Sequence, residues 1–92
     1  MGVPDYGRAY SIGGVSSFTA PVNGYIILDG NYGGGVGFYV LSNPDMCLTH
    51  SLSRRVSGAM FALTKGETVC INNGVFTGGN EGCWFIPAKV RT

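Results

Sequence analysis

Apolar residues occur along this chain in short runs, and turn-forming residues separate one run from the next. In none of these runs do apolar residues recur with the spacing of an amphipathic helix over three turns, and Gly or Pro interrupts every candidate helical window. About eight short strands, spaced about 8–12 residues apart, indicate an all-β sandwich or jelly roll. The predicted strands are Ala9–Ile12, Tyr25–Leu28, Val36–Leu41, Met46–Leu52, Val56–Leu63, Thr68–Ile71, Val75–Thr77 and Cys83–Ile86.

Clusters of turn residues join the predicted strands. Gly accepts positive φ, Pro fixes φ, and Asn and Asp hydrogen-bond to their own backbone, so these residues favour tight reversals. The loop Asn31–Gly35 is expected to be the most flexible, and Glu67 is expected to act in turn formation. We predict one domain over residues 1–92, with residues 1–9 as an extended lead-in. The predicted turns are Pro21–Gly24, Asn43–Asp45, Thr64–Glu67 and Gly78–Gly82.

Three of the predicted strands carry apolar residues at both odd and even positions. A strand with one face in water alternates apolar and polar residues, so these strands are expected to be covered on both faces. In a two-layer sandwich only one face meets the partner sheet, and the other would form a larger apolar patch than monomers usually expose. We therefore predict that another copy of the chain covers this face. The interface is predicted to contain Tyr25, Tyr39, Leu41 and Trp84, from the strands Tyr25–Leu28, Phe38–Leu41 and Cys83–Ile86.

Composition narrows the classes of function. Six Lys and Arg stand against five Asp and Glu, and the net charge is +1, so we expect no nucleic-acid partner, which would need clustered basic residues. The only basic pair, Arg54-Arg55, is interpreted as a solvated strand end. No apolar stretch approaches the length of a membrane span and no secretory signal is seen. We therefore expect that the chain does not insert into a membrane. We also expect that it is synthesised in the cytoplasm, as a small gene product or as a fragment of a longer protein.

The cysteines do not form a recognisable framework. Cys47, Cys70 and Cys83 are odd in number and widely spaced, and no CxxC pair occurs. A disulfide framework needs an even number of cysteines, and a zinc site needs clustered ligands. We expect three reduced thiols that act as small buried hydrophobes, and neither a metal site nor a cofactor.

The candidates for catalysis are few. The single histidine, His50, is in phase with Met46 and Leu48 on an apolar side of its predicted strand. We expect it to be buried, or near a subunit axis, rather than to act as a base in a nucleophile–base–orienter set. The five Asp and Glu residues stand in no recognisable acid–base phrase, and the phosphate-binding pattern GxxxxGK[ST] is absent. We predict that the chain is not an enzyme.

Two phrases connect the chain to a known family. Phe18–Tyr25 has the form Phe-Thr-x-Pro-x-x-Gly-Tyr, and Leu63–Val69 has the form Leu-x-x-Gly-Glu-x-Val. With Cys83–Pro87 as an aromatic-rich closing strand, residues 18–89 resemble the compact jelly-roll family of C1q and tumour necrosis factor. The chain departs from that family in having Glu67 where Asp is usual, and it is shorter than animal C1q domains.

A narrower resemblance involves the two ends of the chain. Pro4–Arg8 with Tyr10–Ile12, the Gly-rich first loop and the ending Phe85–Lys89 are similar to the C-terminal domains of bacteriophage tail fibres and receptor-binding proteins. This resemblance implies a homotrimer in the virion, made in the host cytoplasm, that binds a bacterial surface receptor such as a glycan or an outer-membrane component. An upstream fibre stalk would be a further partner. Two alternatives stay open, namely a structural module that trimerises a fibre or decorates a virion, and a bacterial lectin-like protein.

The predicted loops hold the candidate binding residues. Rigid β scaffolds commonly carry recognition residues on their loops, and Asn, Asp and aromatic side chains suit sugar hydroxyls and sugar faces. Turn formation explains each residue taken singly, so only their clustering at one end of the molecule would favour binding. Trp84 lies within an apolar run and is expected in the core or an interface. The candidates are Asn31, Tyr32, Asn43, Asp45, Asn73, Asn80 and Glu81.

Overall fold

A computed structural model describes residues 1–51 and 54–90 of the chain. These residues form eight strands and one short 3₁₀ turn at Tyr6–Arg8, and no α-helix occurs among them. The strands belong to two antiparallel sheets that pack as a sandwich, so the predicted all-β fold is confirmed. The strands are β1 (Tyr10–Ser11), β2 (Ser17–Thr19), β3 (Gly24–Asn31), β4 (Gly37–Val40), β5 (Asn43–His50), β6 (Arg55–Leu63), β7 (Thr68–Ile71) and β8 (Trp84–Pro87).

The strand order is that of a jelly roll. The first sheet has the order β1-β8-β3-β6, and the second has the order β2-β7-β4-β5. The antiparallel pairs are therefore nested: β1 pairs with β8, β2 with β7, β3 with β6 and β4 with β5. Such nesting is produced when one long antiparallel ribbon is rolled up, which distributes its members between two sheets.

The core lies between the sheets and follows the alternation of strand side chains. In β3, Ile26 and Leu28 are fully buried while Tyr25 and Ile27 are only half-buried. Phe38 from β4 and Phe85 from β8 enter the same cluster from the two sheets. Burial of each such side chain contributes about 1.5–3 kcal/mol relative to exposure, so these positions fix which face of each strand turns inward.

Two strand assignments and one turn differ from the prediction. Val75–Thr77 is irregular rather than a strand, although Phe76 is buried, and its backbone bonds to Gly14 and Val15 replace a sheet ladder. β2 was not predicted, because its single apolar residue, Phe18, gives no alternation. Asn43–Asp45 belongs to β5 and not to a turn. Leu52, the predicted end of that strand, lies outside the described residues.

The reversal between β4 and β5 occurs one step earlier, at Leu41–Ser42, where Val40 pairs directly with Asn43. The β4–β5 register shifts on both sides of Tyr39, so Pro44, Asp45 and Met46 bulge from the ladder. The strand tolerates Pro44 at this position because β5 is an edge strand. The turn-forming residues of Asn43–Asp45 therefore interrupt the strand with a bulge and do not reverse the chain.

The N-terminal segment is not simply extended. Tyr6–Arg8 forms the 3₁₀ turn, and on its N-terminal side Pro4 forms an isolated β-bridge with Ala88. The Asp5 N–H donates to the carbonyl of Pro87 at 2.8 Å, and the hydroxyl of Tyr25 donates to the carbonyl of Gly2 at 2.8 Å. The segment therefore lies along β8 and is tied to the outer face of the first sheet.

The outer face of the first sheet carries an apolar row. Trp84 of β8 lies beside Ile27 of β3, which lies beside Met60 of β6. Trp84 and Ile27 are half-buried, and Met60 is 41% exposed. The expected second apolar face is therefore present in β3 and β8, and part of it is covered by the chain's own N-terminal segment.

The four predicted interface residues do not share a surface. Tyr25 and Trp84 lie on the outer face of the first sheet, whereas Tyr39 lies between the core residues Phe38 and Val40 and so faces outward from the second sheet. The fourth residue, Leu41, is 60% exposed in the β4–β5 turn. The four residues therefore form no single continuous surface on one chain, because the sandwich geometry places them on different faces, and their place in a subunit interface stays a prediction.

The histidine and one cysteine also lie elsewhere than expected. His50 is exposed at the end of β5, so its expected burial is wrong, because the bulge at Pro44–Met46 and a second irregularity at Leu48–Thr49 break the simple alternation. The other expected placement, near a subunit axis, stays a prediction. Cys70 and Cys83 are buried as expected, but Cys47 is exposed, and its thiol donates to the carbonyl of Thr49 at 3.1 Å. Among the described residues, no helix is long and apolar enough to cross a membrane.

Candidate binding cleft

A polar cleft lies at the end of the sandwich where β3 ends and β6 begins. Its volume is about 570 Å³, and one wall comes from the pair Asn31 and Arg55, which are opposite each other in the β3–β6 ladder. The other wall is the loop that precedes β8. The lining residues are Asn31, Arg55, Thr77, Gly78, Asn80 and Glu81.

An ion pair fixes the first wall. The Arg55 guanidinium lies 2.8 Å from Oδ1 of Asp29, and the same oxygen accepts a hydrogen bond from the Gly30 N–H at 2.8 Å. The two side chains are only partly exposed, at 35% and 20%. Asp29 therefore orients Arg55 along the cleft, and the planar guanidinium keeps further N–H donors that can bind ligand oxygens.

Close approach of the second wall requires a glycine in β3. Gly30 has φ +128°, and a Cβ at this position would lie 2.6 Å from the side chain of Thr77. Only glycine accepts both this backbone conformation and this contact without strain. Gly30 thus lets the Thr77 loop pack directly against the end of β3, which closes the back of the cleft.

The buried phenol of Tyr32 connects the two walls from behind. Its hydroxyl donates to the carbonyl of Asp29 at 3.0 Å and accepts a hydrogen bond from the Thr77 N–H at 3.0 Å. The Sγ atom of Cys83 lies 3.1 Å from the same oxygen, and the ring packs edge-on against Phe38. Burial, and secondarily the hydrogen bond with Cys83, raise the pKa of Tyr32 above its ordinary value, so the phenol remains a donor at neutral pH.

The loop that carries the second wall is tied down on its far side. The indole Nε1 of Trp84 donates to the carbonyl of Gly79 at 2.9 Å, and the Cys83 N–H donates to the carbonyl of Thr77 at 2.8 Å. Gly79 has φ +84°, a value that L side chains rarely adopt. These bonds hold Asn80 and Glu81 at the tip of a short, closed loop, with their side chains exposed.

Three of the predicted binding residues come together here and the others do not. Asn31, Asn80 and Glu81 line the cleft. Tyr32 is only 8% exposed and is therefore not available for contact with a receptor, contrary to the prediction. Asn73 is exposed after β7 but is not part of the lining.

Asn43 and Asp45 lie at the opposite end of the sandwich. Next to them, the Leu41 N–H donates to the carbonyl of Thr68 at 2.8 Å, and Thr68 directly follows the turn that ends β6. β6 begins at the cleft, and its nine residues span roughly 30 Å. The candidate binding residues therefore do not all cluster at one end of the molecule, because the length of one strand separates these two groups.

Sequence reasoning missed half of the lining. Arg55 belongs to a basic pair that was interpreted as a solvated strand end, and Thr77 was assigned to a strand. A cue was available for Arg55, since an arginine at the start of a strand whose partner carries Asp29 can form an ion pair across the ladder. Thr77 and Gly78 offered no such cue, because their place depends on loop closure.

The lining suits a ligand rich in hydroxyl groups. Amide side chains donate and accept, guanidinium donates, and carboxylate accepts, so the cleft offers both kinds of partner within one polar space. Among the described residues, no group of three His, Cys, Asp or Glu side chains is placed to hold a metal ion. A second cavity of about 300 Å³ lies beside the N-terminal segment, where Arg8 and Lys89 contribute to its lining, and it contains none of the predicted site residues.

Comparisons of the chain with models of protein families, with curated protein sequences and with solved structures gave no match. The resemblance to C1q, tumour necrosis factor and phage fibre tips therefore stays a prediction from the quoted phrases.

Proposed function

We propose that this chain is the receptor-binding tip of a bacteriophage tail fibre, carried in the virion, and that it binds a bacterial surface glycan through the cleft between Asn31 and Glu81. The observation that carries this proposal is the convergence of Asn31, Asn80 and Glu81 with Arg55 around one polar cleft. The phrases Phe18–Tyr25 and Leu63–Val69 support the assignment to this class of fibre domain.

A glycan fits the cleft better than an apolar ligand does. Small-molecule pockets for apolar ligands are lined mainly by hydrophobic and aromatic side chains, whereas this cleft is lined by polar and charged residues and one glycine. Hydrogen bonds to such a ligand replace bonds to water, so each contributes only about 0.5–1.5 kcal/mol net. Affinity at a single cleft is therefore expected to be weak.

Repetition of the cleft would compensate for this weakness. Surface polysaccharides repeat their sugars, and linked copies of a weak site raise the apparent affinity by roughly 10²–10⁴ through effective concentration. The predicted homotrimer would supply such copies. It remains a prediction, and the proposal needs only that several clefts are carried on one particle.

The test compares variants at the two ends of the sandwich. Asn80→Ala and Glu81→Gln alter the cleft, while Asn43→Ala and Asp45→Ala alter exposed residues at the opposite end and serve as matched controls. Loss of one neutral hydrogen bond in Asn80→Ala should weaken binding to bacterial cells or purified surface polysaccharide about two- to tenfold, and loss of a hydrogen bond to the Glu81 carboxylate should weaken it at least about tenfold. The controls should bind as the original chain does, and all four should unfold at the same denaturant concentration within error.

Two outcomes would contradict the proposal. If the cleft variants bind as well as the controls, the cleft is not the site. If the original chain binds neither bacterial cells nor purified surface polysaccharides, the structural alternative becomes the better assignment. That alternative is a module that trimerises a fibre or decorates a virion.

A further inference from the structure

The sandwich has four edge strands, and three of them are protected against pairing with another chain. β1 has two residues and β2 has three, so each offers little backbone to a partner. β5 is longer, but it contains Pro44, and its ladder is broken at the Pro44–Met46 bulge. Short strands, prolines and bulges are the usual devices by which proteins prevent edge-to-edge association.

The fourth edge, β6, has a regular stretch without such a device. From Val56 to Leu63 the strand carries no charged residue and no proline. A bulge at Ser57–Gly58 interrupts only its first part, where the register with β3 shifts and Gly58 has φ +69°. The five residues Ala59–Leu63 pair with β3 without interruption, and among the described residues no strand pairs with them on the other side.

We propose that Ala59–Leu63 pairs antiparallel with the same segment of a second copy of the chain, with Phe61 opposite Phe61. This register places Ala59 opposite Leu63 and Met60 opposite Ala62, so that the larger side chain of each of these pairs faces a small one. It also brings no like charges together. Directly opposed side chains are the unit that stabilises paired strands, and aromatic pairs are among the favourable ones.

In the same register, core-facing residues of one copy lie opposite core-facing residues of the other, and outer-face residues lie opposite outer-face residues. Leu63 is buried in the core and Phe61 packs against it, whereas Met60 and Ala62 are exposed on the outer face. A register shifted by one residue would place an inward side chain opposite an outward one. With Phe61 at the centre, the two first sheets join into one continuous sheet of eight strands, and both outer faces remain on one side.

A second copy is the occupant that these observations favour. Large residues face small ones when Ala59–Leu63 pairs with its own copy, so the segment is complementary to itself. The low net charge of +1 on the chain opposes self-association only weakly. The cleft lies at the Arg55 end of β6, outside Ala59–Leu63, so the pairing is independent of the proposed glycan binding.

The pairing predicts an even number of chains in the assembly. It gives a dimer by itself, or six chains if it joins two of the predicted trimers. Sedimentation velocity of the full chain should therefore show a mass that corresponds to an even number of copies. A monomer or a trimer would overturn the proposal.

Paired charge variants test the register. In Met60→Lys/Ala62→Lys, the lysine introduced at position 60 would face the lysine at position 62 of the second copy. In Met60→Lys/Ala62→Glu, the facing side chains would instead be a lysine and a glutamate. Both variants alter the same two exposed positions, so they perturb the fold similarly. The first should halve the mass of the assembly and the second should retain it, with dissociation constants that differ by at least about fivefold.

The remaining outcomes also decide the matter. If both variants keep the mass of the original chain, or if both lose it equally while circular dichroism shows an intact fold, the proposed register is wrong. A variant at a protected edge, Thr19→Lys in β2, is the control and should leave the mass unchanged.

Discussion

At the scale of single residues, Tyr32 shows how a buried group can decide the shape of an exposed site. Its hydroxyl holds the carbonyl of Asp29 on one wall of the cleft and the Thr77 N–H on the other. Asp29 in turn holds Arg55. The position of Tyr32 in the sequence, before three consecutive glycines, suggested an exposed loop. The packing of its ring on Phe38 and the hydrogen bonds of its hydroxyl hold it inward instead.

Removal of this hydroxyl should weaken both the fold and the cleft. Tyr32→Phe keeps the ring but leaves the Thr77 N–H without its acceptor, and an unsatisfied buried donor costs about 1–3 kcal/mol. We expect the free energy of unfolding, measured in urea, to fall by that amount. Tyr6→Phe is the control, because Tyr6 is 66% exposed, and it should change stability by less than about 0.5 kcal/mol. Equal stability of the two variants would show that the hydroxyl carries no such role.

At the scale of elements, the turn between β6 and β7 is where local sequence determines structure most directly. Glu67 Oε1 accepts hydrogen bonds from the Thr64 N–H at 2.9 Å and from the Thr64 hydroxyl at 2.7 Å. The Glu67 N–H returns a bond to the carbonyl of Thr64 at 3.0 Å, and Gly66 between them has φ +90°. The predicted turn and the predicted role of Glu67 are both confirmed, because the three hydrogen bonds between Thr64 and Glu67 lie within four residues of the sequence. Distant residues add to them, since the Lys65 N–H donates to Oδ1 of Asn23 and the Gly66 N–H donates to the carbonyl of Ala20.

The pH dependence of stability should report this turn. The side-chain and backbone hydrogen bonds from Thr64 lower the pKa of Glu67, so the carboxylate binds a proton less readily in the folded chain than in the unfolded one. Its contribution to stability is therefore present above the ordinary glutamate pKa of about 4.3 and is lost as the pH falls through the lower folded value. Urea midpoints measured from pH 7 to pH 3 should fall less steeply in Glu67→Gln. Glu81→Gln is the control, and if it flattens the profile equally, the turn is not the cause.

Elements that depend on distant partners were harder to predict. β3 and β8 were anticipated because apolar residues on both faces indicate strands in most contexts. β2 was missed because its three residues become a strand only through pairing with β7. Phe76 suggested a strand by its hydrophobicity, yet it is buried from a loop. The same holds for the cleft. Asn31, Asn80 and Glu81 were predicted from their residue types, whereas Arg55 and Thr77 were missed because contacts with residues distant in the sequence place them in the lining.

At the scale of the whole molecule, the outer apolar faces limit how copies can assemble. Tyr25 and Trp84 face away from one side of the sandwich, and Tyr39 faces away from the other. A head-to-tail contact joins two different patches of the chain; it closes into a ring when its rotation closes and otherwise continues as an open stack. A closed trimer therefore joins two different patches of each copy, and any outer apolar face outside those patches needs coverage by other means.

The N-terminal segment provides such coverage for the first sheet, and its contribution can be measured. Phe85 is the residue of β8 that enters the core, so its neighbour Ile86 faces outward. Ile86 is nevertheless only 1% exposed. It lies beside Tyr25 and the 3₁₀ turn that packs on β8.

Deletion of residues 1–8 should uncover Ile86 and lower the free energy of unfolding by about 1.5–3 kcal/mol. Ile86→Ala should then cost about 2–5 kcal/mol in the full chain and clearly less in the shortened one. Leu28→Ala, at a fully buried position of the main core, should cost the same in both chains. If Ile86→Ala costs the same in both as well, residues of the chain outside the N-terminal segment cover Ile86, and the assigned role of that segment is wrong.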